Sequence, residues 1–297
     1  MEETQSPVFP NRILPYVLLA PSLILVIIFF IVPALQSLEL SFYRVNALSG
    51  RRLYVGLENF ERLFTSSEYL NSLGTTAIFI VFVVVVGLSI SLLLAVGASQ
   101  PIRGFGLYRT LLIWPYALSP AIAGTIWALL TDPVIGILAH WLGSAGIEFD
   151  RLNNSNHALL FICIAGTWKM LGYNVVFFIA GLKNIPTEVI EAASLDGANA
   201  WVRFWRMVFP LLMPTTLFLL IMNTLYAAFQ TFGLIDITTR GGPGRATYML
   251  IYKLYNDGFK NVNLIGSASA QSVLLLIMVA ALTIIQFRTV GRRTFYQ

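Results

Sequence analysis

Long uninterrupted apolar runs recur along this chain and restrict it to a small set of membrane folds. Residues 81–96 read VFVVVVGLSISLLLAV and residues 271–285 read QSVLLLIMVAALTII, and neither run contains a charged side chain. A helix needs about 20 mainly apolar residues to cross the roughly 30 Å hydrocarbon layer of a bilayer. A membrane barrel would instead need many short segments of alternating polarity, so these runs predict spanning helices.

Composition places the whole chain in the membrane class. Of its 297 residues, 57% are hydrophobic and 11% are charged, whereas soluble domains have about 45–50% apolar and about 25% charged residues. We therefore predict an all-α membrane protein that forms a single transmembrane domain over residues 1–297. Six spans are predicted, near residues 13–36, 73–98, 107–130, 158–182, 211–233 and 264–287.

The first apolar run follows Arg12, an arrangement that secretory signal peptides also show. The run from Ile13 to Leu35 is too long for the apolar core of a signal, contains three prolines and ends without a small-residue cleavage site. We expect it to be retained as the first span.

The number of basic residues in the loops predicts the orientation only weakly. The chain has 19 Lys and Arg residues; Lys169 lies in a span, and the other 18 divide equally, nine on each side of the membrane. The set on the side of the termini lies in shorter connections close to the spans, where positive charge fixes topology. This distribution favours cytoplasmic termini.

The remaining composition excludes several classes of function. The net charge is +5, but the basic residues are dispersed among loops, so we expect membrane lipid and no nucleic acid as a partner. The single cysteine, Cys163, lies in an apolar run and is expected to be buried. The chain has no metal-ligand cluster, catalytic motif or phosphate-binding loop, so we predict no enzyme activity and no metal or cofactor in this chain.

One basic residue, Lys169, lies close to the middle of the fourth predicted span. A central lysine costs about 3 kcal/mol on insertion scales, so it marks a candidate functional position. Tyr173 lies one helical turn further along on the same face. Two interpretations stay open: this face lines a path for an anionic or hydroxylated solute, or Lys169 pairs with a carboxylate of another subunit or with a backbone carbonyl at a helix break.

Polar residues also form a stripe on the fifth predicted span. Asn223, Tyr226 and Gln230 are spaced as neighbours on one helical face, and Gln271 lies near one end of the sixth span. Such residues either line a translocation path or bond adjacent helices together, and similar depths in several spans favour the path. Pro115 and Pro120 in the third span permit a kink, as a gated path requires.

The connection between spans four and five predicts a hairpin of two short helices over residues 186–210. Pro186 suits a first helical turn, and Glu188 and Glu191 place negative charge near its positive end. Gly197 suits the left-handed residue that ends a helix, and a second helix is expected from about Ala198. Small side chains on the first helix would let another surface approach closely.

This hairpin resembles a motif of ABC importer permeases, the cytoplasmic EAA loop. The match is Glu191-Ala192-Ala193, three residues, Gly197, nine residues, and then Met207-Val208-Phe209-Pro210 in place of the usual I-x-L-P ending. The resemblance implies a type I importer permease fold with six transmembrane helices and a cytoplasmic coupling-helix hairpin. It also implies that ATPase coupling is carried by Glu191, Ala192, Ala193, Asp196, Gly197 and Ala198.

Partners follow from the same resemblance. It implies a homologous second permease, two ATP-binding subunits that hold ATP and Mg, and a periplasmic solute-binding protein, in a bacterial inner membrane. It further implies alternating access, in which ATP-driven closure of the ATPase pair moves the hairpin and rocks the helices.

Further segments extend the resemblance over nearly the whole chain, to the sugar and polyol branch of the family. They include Trp168-Lys169 and Gly241-Gly242-Pro243 followed by Thr247. At finer scale LPYVLLAPSLILVIIFFIVPA and TYMLIYKLYNDGF resemble permeases that import sn-glycerol 3-phosphate. The implied cargo is therefore sn-glycerol 3-phosphate. The alternatives are a permease for a neutral sugar or polyol and a stand-alone secondary transporter.

Overall fold

The computed structural model describes residues 13–46, 49–99, 105–261 and 264–290, except the side chains of Phe105, Tyr108 and Arg109. Several basic residues that entered the predicted orientation lie outside this part of the chain, namely Arg12, Arg103, Arg292 and Arg293.

Helices dominate the described residues. In chain order they are α1 (Leu14–Leu40), α2 (Glu58–Thr65), α3 (Ser67–Ala98), α4 (Phe105–Ala117), α5 (Pro120–Leu130), α6 (Ile137–Ser144), α7 (Ser155–Lys183), α8 (Thr187–Leu195), α9 (Ala200–Leu211), α10 (Met213–Phe229), α11 (Phe232–Thr238), α12 (Leu250–Tyr255) and α13 (Ile265–Thr289). Two three-residue strands, β1 (Tyr43–Val45) and β2 (Arg52–Tyr54), pair antiparallel between α1 and α2.

Four of these helices, α1, α3, α7 and α13, are long and apolar enough to cross a membrane unbroken. Two further segments qualify only as bent pairs: Thr110–Ala117 with α5, at 110°, and α9 with α10, at 67°. The described residues therefore contain four spans by length and composition, or six if each bent pair is one span. The spans predicted near 107–130 and 211–233 fall on these two bent pairs.

Local sequence explains the break between α4 and α5. Pro115 has no backbone N–H to donate, and α5 begins at Pro120, which disfavours helical backbone at the residue before it. Ser119 is accordingly extended and caps α5, its Oγ accepting a hydrogen bond from the backbone N–H of Ile122 at 3.2 Å. The prolines thus produce a sharp bend where the sequence permitted a kink.

The predicted end of the fifth span also differs from the structure. The sequence placed it near residue 233, whereas α10 ends at Phe229 and α11 begins at Phe232. Gln230 has left the helical conformation, and its N–H closes the last turn on the carbonyl of Tyr226 at 2.9 Å. The apolar character of α11 hid this boundary in the sequence.

The structure divides into two compact units. The first comprises the described residues up to Arg62 and those from Asp257 to Val273. Within it the Asn59 amide donates to the carbonyls of Ser41 and Tyr43, at 2.8 and 3.1 Å, and fixes the start of the strand pair. Gly266 approaches the same region so closely that an added Cβ would lie 2.0 Å from the Tyr43 carbonyl oxygen.

The second unit comprises the described residues from Leu63 to Asn256 and those from Leu274 onwards, and it is built around α7. One apolar cluster joins α3, α7 and α10, with Leu88, Ala95, Val175, Phe178, Ile179 and Leu219 buried in it. Glycines bring the helices together: a Cβ on Gly172 would lie 1.7 Å from the carbonyl oxygen of Leu112 in α4. These contacts place α7 beside both bent pairs, and α7 leads directly into the hairpin.

Candidate functional site

The predicted hairpin forms between α7 and α10 as two short helices, α8 and α9. Helix α8 ends in a Schellman motif, in which the N–H of Ala198 donates to the Ala193 carbonyl at 3.0 Å and that of Gly197 donates to the Ser194 carbonyl at 3.2 Å. Gly197 has a φ of +79°, the left-handed conformation that the sequence predicted for it. Nothing lies within 4 Å of a Cβ built there, so the backbone alone requires glycine.

The second arm of the hairpin is tied to the first. The Asn199 side chain accepts from the N–H of Val202 at 2.9 Å and so caps the start of α9. The Arg203 guanidinium donates to the Ser194 hydroxyl across the two helices. The Arg203–Ser194 contact joins α8 and α9 through side chains that belong to the hairpin itself.

The predicted coupling residues differ in exposure. Glu191, Ala192, Asp196 and Gly197 are exposed, Ala198 is half-buried, and Ala193 is only 1% exposed. The Ala193 side chain is therefore packed against other residues of this chain. The exposed coupling residues beside it are the ones that a partner protein can contact. Large apolar groups are also open at the tip, with Leu195 89% and Trp201 71% exposed.

The hairpin is joined to the spans at both ends. Helix α8 follows α7 after three residues, and α9 runs into α10 through the 67° bend at Leu212, which is fully buried. Gly181 near the end of α7 lies close to α10, because a Cβ there would meet Thr215 Oγ1 at 2.8 Å. A displacement of the hairpin would therefore reach two packed helices together.

Lys169 is buried at the break between α4 and α5. Its Nζ donates to the backbone carbonyls of Leu118, at 2.5 Å, and Tyr116, at 3.2 Å, and lies 5.6 Å from the centre of the Tyr116 ring. The bend leaves these carbonyls without helical N–H partners, and the ammonium group supplies the missing donors. These contacts match the interpretation in which Lys169 is a structural residue at a helix break.

Tyr173 joins the same cluster through its ring. It stacks on Tyr116 with centroids 4.8 Å apart and contacts Phe177 at 4.7 Å, and its own side chain is half-buried. The structure thus brings Lys169 and Tyr173 together around Tyr116, a residue that the sequence analysis did not select. The feature of the sequence that could have identified Tyr116 is its position directly after Pro115, where the helix breaks.

Asn223 pairs with Asn174, another residue that the sequence analysis missed. Each amide donates to the other's oxygen, at 2.7 and 3.1 Å, and both side chains are fully buried between α7 and α10. Reciprocal amide bonds of this kind hold membrane helices together. The feature of the sequence that could have identified Asn174 is its position as a polar residue inside an apolar run. Asn174 and Asn223 lie in spans that are adjacent along the chain.

The other predicted path residues do not join these clusters. Tyr226 is 2% exposed, and its hydroxyl has no hydrogen-bond partner in the described part of the chain. Gln230 is exposed at the end of α10. Gln271 is fully buried and belongs to the first unit, whereas the other five belong to the second.

The loop between α11 and α12, which contains the Gly-Gly-Pro segment, is fastened to α3. Glu68 of α3 pairs with Arg245 of the loop at 3.1 Å and with Lys253 of the following helix α12 at 3.5 Å. Within the loop, the Thr247 hydroxyl donates to the Gly242 carbonyl at 3.0 Å. The loop is therefore ordered by charge pairing and by its own backbone.

Arg151 is a buried cation outside the spans, and nothing in its sequence context separated it from other loop arginines. Its guanidinium donates to the carbonyl of Thr238 at 2.9 Å, to the carbonyl of Ala128 at 3.3 Å and to the hydroxyl of Thr131 at 3.0 Å. Burial lowers the pKa of Arg151 from its ordinary value. The partly negative carboxyl-terminal ends of α5 and α11 stabilise its charge, so Arg151 fastens these two helices together.

No cluster of three or more His, Cys, Asp or Glu side chains occurs within the described ranges. The groups brought together at the bend between α4 and α5 and between α7 and α10 are backbone carbonyls, side-chain amides, aromatic rings and one lysine. They can bond helices and bind polar solutes.

Comparison with known proteins gives a family match over almost the whole chain. Residues 12–295 match the family described as binding-protein-dependent transport system inner membrane component. The relatives include proteins named sn-glycerol-3-phosphate transport system permease protein UgpA. Those from Rhizobium meliloti, Agrobacterium fabrum and Escherichia coli are 49%, 50% and 44% identical to this chain, and each alignment covers 98% of it and 98–99% of the relative.

Solved structures show the same fold. One crystal structure of a bacterial ABC transporter involved in the import of the acidic polysaccharide alginate matches with a TM-score of 0.78 and 18% identity, over 94% of this chain and 95% of that one. A second, of an alginate ABC transporter in complex with alginate pentasaccharide-bound periplasmic protein, gives 0.79 and 19%, over 95% of each chain. The predicted all-α ABC importer permease fold is confirmed.

Proposed function

This chain belongs to the family of inner membrane components of binding-protein-dependent transport systems, and we propose that its cargo is sn-glycerol 3-phosphate. The observation that carries the proposal is the 43–50% identity, over 98% of the chain, to permeases named for that solute. The alignments behind these values cover the spans, the hairpin and the outer loops together.

The proposed mechanism is ATP-driven alternating access with the chemistry of ATP located in other subunits. The chain forms half of a translocation path together with a homologous permease, and a periplasmic solute-binding protein delivers the cargo. Two ATP-binding subunits hold ATP and Mg and contact the hairpin through its exposed side chains, which include Glu191, Ala192 and Asp196. The hairpin and both termini then lie on the cytoplasmic side of the inner membrane.

The geometry of the hairpin supports this coupling role. Its two helices are fixed to each other by the Schellman motif and the Arg203–Ser194 contact, and they continue into α7 and α10. A compact lever joined to two packed spans transmits motion as a unit, which a flexible loop does not.

The path itself is proposed to include Tyr173, Tyr226, Gln230 and Gln271. Lys169 and Asn223 have the contacts of structural residues, because their polar atoms are already bonded to carbonyls and to Asn174. A phosphate-specific role for Lys169 would require it to leave two backbone carbonyls. Selection of the phosphate therefore rests on other groups, including those of the partner permease and the binding protein.

The second candidate function is a permease for a neutral sugar or polyol of the same family branch. The aromatic cluster of Tyr116, Tyr173 and Phe177 favours it, since ring faces pack well against sugar rings. It predicts that solutes without phosphate drive the transporter as well as sn-glycerol 3-phosphate does.

The two candidates are separated by ATPase stimulation in the complete importer. The complex is reconstituted in proteoliposomes with its binding protein, and ATP hydrolysis is measured with sn-glycerol 3-phosphate, glycerol, glucose and maltose in turn. We expect stimulation by sn-glycerol 3-phosphate and none by glycerol, which lacks only the phosphate. Stimulation by a neutral solute alone would replace the proposed cargo, and uptake by vesicles that contain this chain without ATPase subunits would favour a secondary transporter.

A further inference from the structure

The connection between α5 and α7 exposes large apolar side chains where a water-facing loop would be polar. Val134 is 90% exposed, and Ile135, Ile137 and Trp141 are each between 62% and 70% exposed. They lie within eight residues of sequence, in the turn after α5 and on the short helix α6. An exposed apolar patch of this kind marks a surface that contacts protein, ligand or membrane.

A groove lies directly beside this patch. Its volume is about 370 Å³, within the range of roughly 300–1,000 Å³ that is typical of ligand pockets. Three helices line it with apolar groups, among them Ile126, Trp127 and Leu130 of α5, Ile137 and Trp141 of α6, and Trp168 of α7. Ile137 and Trp141 belong to both the groove and the exposed patch, so the two surfaces are continuous.

The turn between α5 and α6 has its backbone groups paired internally. Asp132 Oδ1 accepts from the N–H groups of Val134 and Ile135, at 2.9 and 3.1 Å, and the N–H of Gly136 donates to the Asp132 carbonyl at 2.9 Å. A Cβ on Gly136 would lie 2.5 Å from that carbonyl oxygen, so the turn requires glycine. A turn paired in this way can enter an apolar region without leaving these donors unbonded.

We propose that the 134–141 segment lies in the outer lipid interface and that the groove beside α6 binds a phospholipid acyl chain. The proposal is independent of the cargo, because none of these residues belongs to the proposed path or hairpin.

Continuity with the lipid-facing surface of the adjacent span identifies the occupant as lipid. Helix α5 also exposes Ile122 and Leu129, and it crosses hydrocarbon if the bent pair of α4 and α5 is one span. Tryptophan concentrates at the membrane–water boundary, and the groove has three of them. On α6, Ile137 and Trp141 are one turn apart on one face, the arrangement of helices that lie in the interface.

The groove is tested with a photo-crosslinking amino acid in the complete importer in its native membrane. p-Benzoylphenylalanine replaces Leu138, which lines the groove, or in a matched control His140, which is exposed on the same helix and does not line it. After irradiation, the intact mass of the chain is measured. We expect a phospholipid adduct that is severalfold more abundant at position 138 than at position 140. An adduct with the second permease or another protein, or equal lipid adducts at both positions, would overturn the proposal.

The position of the segment is tested by a second measurement that leaves the groove lining intact. Nitroxide labels are placed with Val134→Cys and, as the control, Asn153→Cys, since the native Cys163 is buried. Collision with oxygen should dominate at position 134 and collision with a water-soluble nickel chelate at position 153. If the chelate reaches position 134 as readily as position 153, the segment lies in water and the proposal is wrong.

Discussion

Replacement of Gly197 by alanine tests whether the hairpin transmits force. At a φ of +79° an L-residue costs roughly 1–2 kcal/mol more than glycine. No atom lies within 4 Å of the new Cβ, so this backbone strain is the whole expected effect. Such a cost lowers the ratio of formed to unformed hairpin roughly 5–30-fold. The rest of the bundle is unchanged, and the complex should still assemble.

A second glycine in the chain provides a matched control. Gly146 ends α6 in the same motif, with the N–H of Ile147 donating to the Leu142 carbonyl at 2.9 Å. Its φ is +75°, and its Cβ position is equally open. Gly146→Ala therefore introduces the same strain away from the hairpin.

The assay is the number of solute molecules imported per ATP hydrolysed, measured in proteoliposomes of the complete importer. We expect Gly197→Ala to lower this ratio while ATP hydrolysis continues, and Gly146→Ala to leave it unchanged. If both variants keep the ratio of the unsubstituted importer, or if both lose it equally, the hairpin is not the coupling element.

Three further predictions concern the packing of α7. Gly172→Ala should prevent α4 and α7 from packing, because its Cβ would lie 1.7 Å from a carbonyl oxygen. Gly74→Ala is the control, since no atom lies within 4 Å of a Cβ there and no loss of packing is expected. Thermal unfolding of the purified complex compares the two variants, and equal midpoints would contradict the close contact. Asn174→Leu and Asn223→Leu should each destabilise the complex by about 1–3 kcal/mol, since each removes the reciprocal bonds of a buried amide pair, although Asn223 in the first variant keeps its bond to the Leu219 carbonyl. The double variant should lose less than the sum, and strict additivity in a double-mutant cycle would show that the pair is not coupled. Lys169→Met should leave two backbone carbonyls unpaired, at a cost of about 1–3 kcal/mol each. Turnover and thermal stability of the complex should therefore fall, while the KM for sn-glycerol 3-phosphate stays constant. A raised KM at unchanged stability would place Lys169 in contact with the cargo.

Local signals in the sequence were sufficient to predict the hairpin. Gly197 ends α8 in the predicted conformation, and the motif around Glu191 identified the family that the comparison then showed. Both inferences depend on residues close together in the chain, where backbone geometry and spacing are determined locally. Ala193 shows the limit of this approach, because its burial results from packing that its neighbours in sequence do not reveal.

Contacts between distant segments were the part that the sequence could not supply. The intramembrane position of Lys169 raised two interpretations, and only the bend between α4 and α5 shows which acceptors lie near its ammonium group. Asn174 and Asn223 are 49 residues apart, and neither has a local feature that names the other. Polar residues in spans therefore mark positions that need a partner, while the identity of the partner comes from helix packing.

A cysteine at the tip of the hairpin tests the coupling to a separate ATPase. Leu195 is 89% exposed and the native Cys163 is buried, so Leu195→Cys offers one reactive thiol within the described residues. In the complete importer we expect it to crosslink to an ATP-binding subunit, with a yield that changes when ATP is added, and to resist membrane-impermeant reagents applied from the periplasmic side. Modification from the periplasmic side, or crosslinks to no ATP-binding subunit, would contradict the coupling role of the hairpin.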